Sequence, residues 1–420
     1  MTGFVTKAVH GIPGRTSAHG TLRGPVYDSV AFEFAKSTDI EKAFEGRLAA
    51  HSYTRVSNPT VQELEERVAF LAGAKGVVAV SSGMAAISNT IMALAGAGTN
   101  IVTTRFLFGN TLSLFQNTLG PWGLEVRYAD FLRPESVAAA IDGNTRAVFL
   151  ETITNPQLEV ADIELIAAIA HENGVPVIAD GTATTPYLFP SRNFGVDVEV
   201  ISSTKYMSGG ATTIGGLIVD NGIFDWKQAP RLKEAARRYG PHAFIAALRH
   251  TVYRDLGACM APHNAYLQVL GLETMGLRIE RSCANTLRLA RWLKNRPEVS
   301  TVNYPGLETS PSHATAKRLL SKGFGGILTF SLSDRKACFA FMDALQTIRR
   351  ATNIHDNKTL ILHPASTIFC EFDAEEKAAM GVGDAMLRLS VGIEDDEDLI
   401  TDLERGFAAV EIAALQKEDA

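Results

Sequence analysis

Four short stretches of this sequence carry side chains whose chemistries complement one another. In Ser202-Ser203-Thr204-Lys205-Tyr206 a lysine follows the apolar run VEVI and precedes Gly209 and Gly210. An amine at the end of a buried strand, set among hydroxyls, is pushed toward its neutral form, which is the form that attacks an aldehyde. Asp180 ends the apolar run VPVIA, where a carboxylate can pair with a protonated ring nitrogen and keep that ring an electron sink. Ser81-Ser82-Gly83-Met84-Ala85-Ala86 reads as a strand end turning into a helix, whose free N–H groups and positive dipole end suit a phosphate. Arg388 lies inside the apolar stretch LRLSVG. A buried guanidinium needs an anion, and a substrate α-carboxylate held bidentately is a natural one.

Each stretch also has an ordinary reading: a surface lysine, a turn-capping aspartate, a common α/β turn, a structural ion pair. Together they supply an amine, a ring-nitrogen partner, a phosphate cradle and a carboxylate clamp. That set answers the demands of pyridoxal 5'-phosphate (PLP) acting on an amino acid, and no ordinary reading predicts all four.

The elements that must position these groups follow from the hydrophobic pattern. Residues 60–72 have helical periodicity, with Asn58 or Thr60 at the cap and Pro59 in the first turn. Short apolar runs then alternate with helical segments: GVVAVSS, a helix near 84–95, NIVTT, a helix near 110–119, LEVRYAD, AVFLET, a helix near 162–173, PVIAD and VEVISSTK. Runs that are apolar throughout suit strands buried on both faces of a parallel sheet, with ligands at the strands' C-terminal ends. This predicts an α/β domain over residues 60–258, preceded by an irregular arm, 1–59. A smaller α+β domain is expected over 259–420, built on a long helical stretch beginning HNAYLQ, the strand-like GGILTFSL and LRLSVGI, and a closing amphipathic helix. There are no internal repeats and no low-complexity tract.

Composition sets the remaining bounds. A chain of 420 residues suggests two or three packed units. With 46% hydrophobic residues, 20% charged residues and a net charge of -6, it offers no electrostatic footprint for nucleic acid or an anionic membrane. Cys259, Cys283, Cys338 and Cys370 show no metal-ligand spacing and read as reduced structural thiols. The start MTGFVTKAVHG has no apolar h-region, and no stretch reaches the roughly 18 apolar residues of a membrane span. A cytoplasmic location is expected.

The chain resembles the Cys/Met-metabolism family of PLP enzymes along nearly its whole length. The resemblance rests on Tyr53-Thr54-Arg55 with Asn58-Pro59-Thr60, on the Ser81–Ala86 stretch, on ETITNP from Glu151 to Pro156, and on Asp180. It continues through Ser202–Tyr206, His363-Pro364-Ala365-Ser366-Thr367 and the closing LRLSVGIE. Within the family the O-acetylhomoserine sulfhydrylase branch fits best, through Phe224-Asp225-Trp226, RDLGA at 254–258, GLET at 271–274, VNYPGL at 302–307 and GFGGILTF at 323–330.

The resemblance implies fold type I (aspartate-aminotransferase-like), usually as a homotetramer of two tight dimers, with Lys205 holding the cofactor. It places Ser82, Gly83 and Met84 on the phosphate beside Ser202 and Thr204. Tyr53 and Arg55 would reach the phosphate of a neighbouring subunit, and Asn155, Arg388 and Asn353 would hold the substrate. Two departures stand out. Where the family commonly stacks a tyrosine on the cofactor ring, the turn here is Leu107-Phe108-Gly109, so Phe108 offers a π face and no hydroxyl. Phe369 stands where relatives often carry Thr and His.

The implied activity is γ-replacement, O-acetyl-L-homoserine and sulfide to L-homocysteine and acetate, a step of methionine biosynthesis. Methionine γ-lyase, cystathionine γ-synthase and O-succinylhomoserine sulfhydrylase activities remain alternatives, as does a non-catalytic protein of this fold. A Rossmann dehydrogenase is disfavoured, because no GxGxxG follows the first core strand.

Overall fold

The computed structural model describes residues 3–14 and 19–418. The outermost ends of the expected arm and C-terminal domain, 1–2 and 419–420, and the arm's residues 15–18 lie outside the described residues. Two sheets organise the chain.

The larger sheet has seven strands: β1 Gly76–Val80, β2 Thr99–Thr103, β3 Leu124–Tyr128, β4 Thr145–Glu151, β5 Val177–Asp180, β6 Val198–Ile201 and β7 Gly216–Asp220. Their order is β1-β7-β6-β5-β4-β2-β3. All run parallel except β7, which is antiparallel to both β1 and β6. Val78, Val148, Ile178, Val198 and Ile218 have no exposed surface, which is why these runs read as apolar throughout: helices cover both faces. One face carries the helix Gly83–Leu94 and the other the helix Ile163–Glu172.

The smaller sheet comprises β8 Thr301–Asn303, β9 Ile327–Ser331, β10 Arg349–Arg350, β11 Leu360–Leu362 and β12 Met386–Ser390, in the order β10-β11-β12-β9-β8. The helices Arg335–Ala344 and Asp396–Glu418 pack with it. The 33-residue helix Pro262–Lys294 joins the two units. Its Met275 and Ile279 enter the core around β1 and β7, while Leu289 and Leu293 enter the core of the smaller sheet. From the same helix Ser282 Oγ donates to Val391 O at 2.7 Å, and Asn285 Nδ2 donates to Glu394 O at 2.8 Å. These bonds anchor the chain just past β12, and so the strand that carries Arg388.

The structure departs from the sequence expectations in three places. Residues 3–59 are not irregular throughout: Phe4–His10 and Ser37–Phe44 are helical, and Phe4 packs edge-on against Tyr187 at 5.0 Å. The helix near 110–119 is α-helical only over Gly109–Ser113 and continues as a π-helical segment, Leu114–Leu119. It stops at Gly120-Pro121, where proline has no N–H to extend the ladder. The sheet also contains β7, which the glycine-rich stretch before it obscures.

Candidate active site

The carboxyl-end turns of five strands of the large sheet, β1, β2, β4, β5 and β6, and one strand of the small sheet converge on a cavity of about 340 Å³. After β1 the chain turns at Ser82, the N-cap of the helix Gly83–Leu94, whose hydroxyl accepts from Ala85 N at 3.1 Å. Gly83 is required here by close packing: a Cβ on it would lie 2.6 Å from Ser202 Cβ. The turns after β1 and β6 are therefore pressed together, and Ser82, Gly83, Met84, Ser202 and Thr204 line one end of the cavity. Helix-start amides, hydroxyls and a backbone free of side-chain bulk form a cradle that fits a phosphate.

Lys205 lies on the loop leaving β6, mostly buried, and its amine donates to Asn353 Oδ1 at 2.5 Å. Burial first, and then the nearby Arg388 charge, pull its pKa down from 10.5 to about 8, against the opposing pull of Asp356 and Asp180. Asp180, the last residue of β5, faces the same cavity. Its Oδ1 accepts from Thr182 N at 2.8 Å, and the Thr182 hydroxyl in turn accepts from Ser202 N at 2.7 Å. Burial raises the Asp180 carboxyl, opposed by the Thr182 hydrogen bonds and the Lys205 charge. A partner cation at this place would relieve that cost, as a protonated ring nitrogen does.

Arg388 reaches the cavity from β12 with its side chain 2% exposed. Nη1 donates to Asn155 Oδ1 at 3.0 Å, and Nη2 faces the carbonyls of Thr352 and Asn353 at 3.3 and 3.4 Å. Nε is buried with no partner among the described residues. Burial pulls the guanidinium down to about 9, so it stays a cation at neutral pH. A buried cation that, among the described residues, hydrogen-bonds to neutral acceptors and keeps one N–H unpaired is chemically prepared for an anion. Phe108, Asn110 and Thr111 close the side of the cavity, with Ile87, Ile153 and Ile354 as apolar wall.

The sequence-derived set is thus largely brought together: Lys205, Asp180, Phe108, Ser82, Gly83, Met84, Ser202, Thr204, Asn155 and Arg388 share one cavity, and Asn353 touches both Lys205 and Arg388. Tyr53 and Arg55 do not join them. They are exposed, line a separate groove between the N-terminal segment and the helix Ala243–His250, and Arg55 Nη1 donates to Arg254 O at 2.7 Å. Phe369 does not line the cavity; it is fully buried in the core and tilts against Phe372 at 5.9 Å. Among the described residues no cluster of His, Cys, Asp and Glu is arranged for a metal ion, and no helix is long and apolar enough to cross a membrane.

Sequence reasoning gave no role to Glu151 or Thr182. Glu151 had a readable signal, a lone acid ending the apolar run AVFL, the same signature that marked Asp180.

Comparison with known proteins agrees with this geometry. The sequence model of a family described as Cys/Met metabolism PLP-dependent enzyme matches residues 5–408. An O-acetyl-L-homoserine sulfhydrylase of Corynebacterium glutamicum is 39% identical over 97% of each chain. Among solved structures, an O-acetylhomoserine sulfhydrylase of the methionine biosynthetic pathway of Wolinella succinogenes is 51% identical, covering 84% of this chain and 98% of its own, at a TM-score of 0.77. A protein provisionally assigned as O-acetylhomoserine (thiol)-lyase from Campylobacter jejuni, with a pyridoxyl-lysine monophosphate, is 34% identical and superposes over 98% of this chain and 100% of its own at a TM-score of 0.93.

Proposed function

The chain belongs to the Cys/Met metabolism PLP-dependent enzyme family, with the two-sheet architecture of fold type I, and on that premise we propose that it catalyses replacement at the γ-carbon of a homoserine ester. O-Acetyl-L-homoserine and sulfide give L-homocysteine and acetate, a direct sulfhydrylation serving methionine biosynthesis. The observation that carries this reading is the charge inventory of the cavity. Among its described lining residues the cations are Lys205 and Arg388, one committed to the cofactor and the other to an α-carboxylate. A succinyl ester, or cysteine as the nucleophile, brings a further carboxylate with no cation left in the cavity to meet it. An acetyl ester brings no further charge. The sulfhydrylases among the relatives support the same choice.

Pyridoxal phosphate, when bound, supplies an aldehyde for the substrate amine and a ring that draws electrons away from Cα. Ser82, Gly83, Met84, Ser202 and Thr204 would hold its phosphate, Phe108 would stack on its ring, and Asp180 would keep its ring nitrogen protonated. Arg388 and Asn155 clamp the α-carboxylate, which fixes the direction of the Cα–H bond. Lys205 takes the proton from Cα and then from Cβ, and returns them once sulfur has added. Its depressed pKa keeps a useful fraction of free base near neutrality. Acetate departs with the electron pair of the Cγ–O bond, and the sulfur of HS⁻ forms the new Cγ–S bond, so charge and atoms balance. Tyr53 and Arg55 would serve the phosphate of a neighbouring copy in a homo-oligomer, a tetramer of two tight dimers.

The test is a product assay on O-acetyl- and O-succinyl-L-homoserine, with and without sulfide, beside an absorbance spectrum of the purified protein. Homocysteine from the acetyl ester in the presence of sulfide is the expected result. Preference for the succinyl ester, or turnover that does not need sulfide, would redirect the reading within the family. Absence of a bound-cofactor spectrum would point to a non-catalytic protein.

A further inference from the structure

Glu151, the last residue of β4, lines the cavity, yet none of the steps above uses it. Its Cα is the register partner of Asp180 on the neighbouring parallel strand, so the two acids leave the sheet on the same face. They are held differently. Asp180 is tied to its own turn through Thr182. Glu151 instead reaches two separate loops: its Oε1 accepts from Phe108 N at 2.7 Å and its Oε2 from Asn155 N at 3.1 Å. Phe108 opens the short helix Gly109–Ser113 beyond β2 with no side-chain cap, and Asn155 sits in the turn beyond β4. The carboxylate is 7% exposed, and burial together with the Asp180 charge pushes its carboxyl well above the usual range. An acid kept in so unfavourable a place, with each oxygen spent on a backbone amide, points to geometry that an apolar residue could not provide.

We propose that Glu151 is a positioning residue that clamps the Phe108 turn and the Asn155 turn together, so that the ring-stacking face and the carboxylate clamp are set as one unit. This rests on the roles given above to Phe108 and Asn155. The bond from Asn155 Oδ1 to Arg388 Nη1 extends the unit into the smaller sheet. One carboxylate therefore ties the stacking residue to the residue that orients the arginine. Loosening it would tilt the bound amino acid relative to the cofactor without removing any group that touches either.

The test uses the holoenzyme with Glu151→Gln. Glutamine keeps the shape and one accepting oxygen, but its NH₂ cannot accept from the second amide. The probe is L-norleucine, which has a homoserine-like reach and no leaving group, titrated against the visible absorbance of the cofactor. We expect unchanged cofactor content, weakened visible circular dichroism, and a norleucine Kd raised on the order of 10–100-fold, as leaving one buried backbone N–H without its acceptor implies. Unchanged circular dichroism and Kd would overturn the proposal even if Tm falls, because a merely structural role moves Tm alone. If the variant does not fold, hydrogen exchange on the unmodified holoenzyme decides: the Phe108 and Asn155 amides should be protected alike and far beyond neighbouring loop amides, and fast exchange at either overturns the clamp. Phe108→Leu and Asn155→Ala run in parallel. If those leave the circular dichroism and the norleucine Kd unmoved, the roles of Phe108 and Asn155 have failed. If they move both while Glu151→Gln does not, the clamp alone has failed.

Discussion

Arg388 and Asn155 meet across the joint between the two sheets, Nη1 donating to Oδ1 at 3.0 Å. The amide fixes one blade of the guanidinium, and Nε has no partner among the described residues. Lysine at 388 keeps a charge but loses the planar fork. Arg388→Lys should lower kcat/KM for O-acetylhomoserine by roughly 10²–10³-fold, chiefly through KM, in line with the cost of breaking a buried charged pair. Steady-state kinetics check this, and a fall confined to kcat would show that the arginine does not hold the substrate.

Lys205→Ala should abolish turnover. Borohydride treatment of the unmodified holoenzyme should fix the cofactor covalently to Lys205, read by peptide mass spectrometry. Labelling of another lysine would remove the assignment.

The Lys205 amine also predicts a pH dependence. Burial and the Arg388 charge disfavour its cationic form, so the neutral amine is reached near pH 8 and not near 10.5. The rate at which apoprotein takes up pyridoxal phosphate should therefore climb with pH around a midpoint near 8. The sign carries over to stability: between about 8 and 10.5 the unfolded chain holds a proton that the folded apoprotein has released. In that window this lysine's contribution to folding becomes more favourable as pH rises. Absorbance-monitored uptake across pH 6–11 measures the midpoint (roughly the span that brackets both pKa values). A midpoint above 10 would mean that the amine is not desolvated.

Arg55 is exposed, with its guanidinium over the Tyr53 ring at 5.4 Å and Nη1 donating to Arg254 O at 2.7 Å, and the proposed function gives it to a partner's site. Mixing inactive Arg55→Ala and Lys205→Ala subunits should restore partial activity in hybrids, because a symmetric dimer then contains one intact site. Hybrids shown to have formed, yet silent, would count against a shared site.

Phe108 bears on which bond is broken. Acetate leaves readily, whereas the thiolate of methionine leaves poorly without a proton donor, and a phenyl ring donates none. Homocysteine formation should exceed methionine cleavage by roughly the 10²–10⁴-fold that general acid help provides, and Phe108→Tyr should narrow the gap. Comparable kcat/KM for the two reactions in the unmodified enzyme would move the assignment from sulfhydrylase to lyase.

The strands of the large sheet were readable because burial on both faces leaves long apolar runs, and the acids and hydroxyls that interrupt them mark the site. Lys205, Asp180 and Arg388 each break such a run. What stayed hidden is short or depends on distant partners. The strand β11 has three residues, too few to show a period, and β7 follows a glycine-rich stretch whose turn chemistry masks it. Glu151 was visible as a break in the pattern, but its work lies in two backbone amides, and no side-chain motif records which amides an acid will meet. The family resemblance directed Tyr53 and Arg55 to a neighbouring subunit, and in the structure they line a groove apart from their own chain's cavity.

The place of β1 in the sheet has a consequence for how the chain is made. Among the described residues it is an edge strand whose ladder partner is β7, with Gly76 opposite Asp220 and Val80 opposite Gly216. At synthesis rates of about 5–20 residues per second, β1 emerges roughly 7–28 s before the strand it needs. Strands β2 to β6 can pair among themselves during that interval, while β1 exposes a fully apolar edge. The nascent protein therefore carries an adhesive segment for most of the large domain's translation, and the Ser82–Ser202 phosphate cradle cannot exist until it docks.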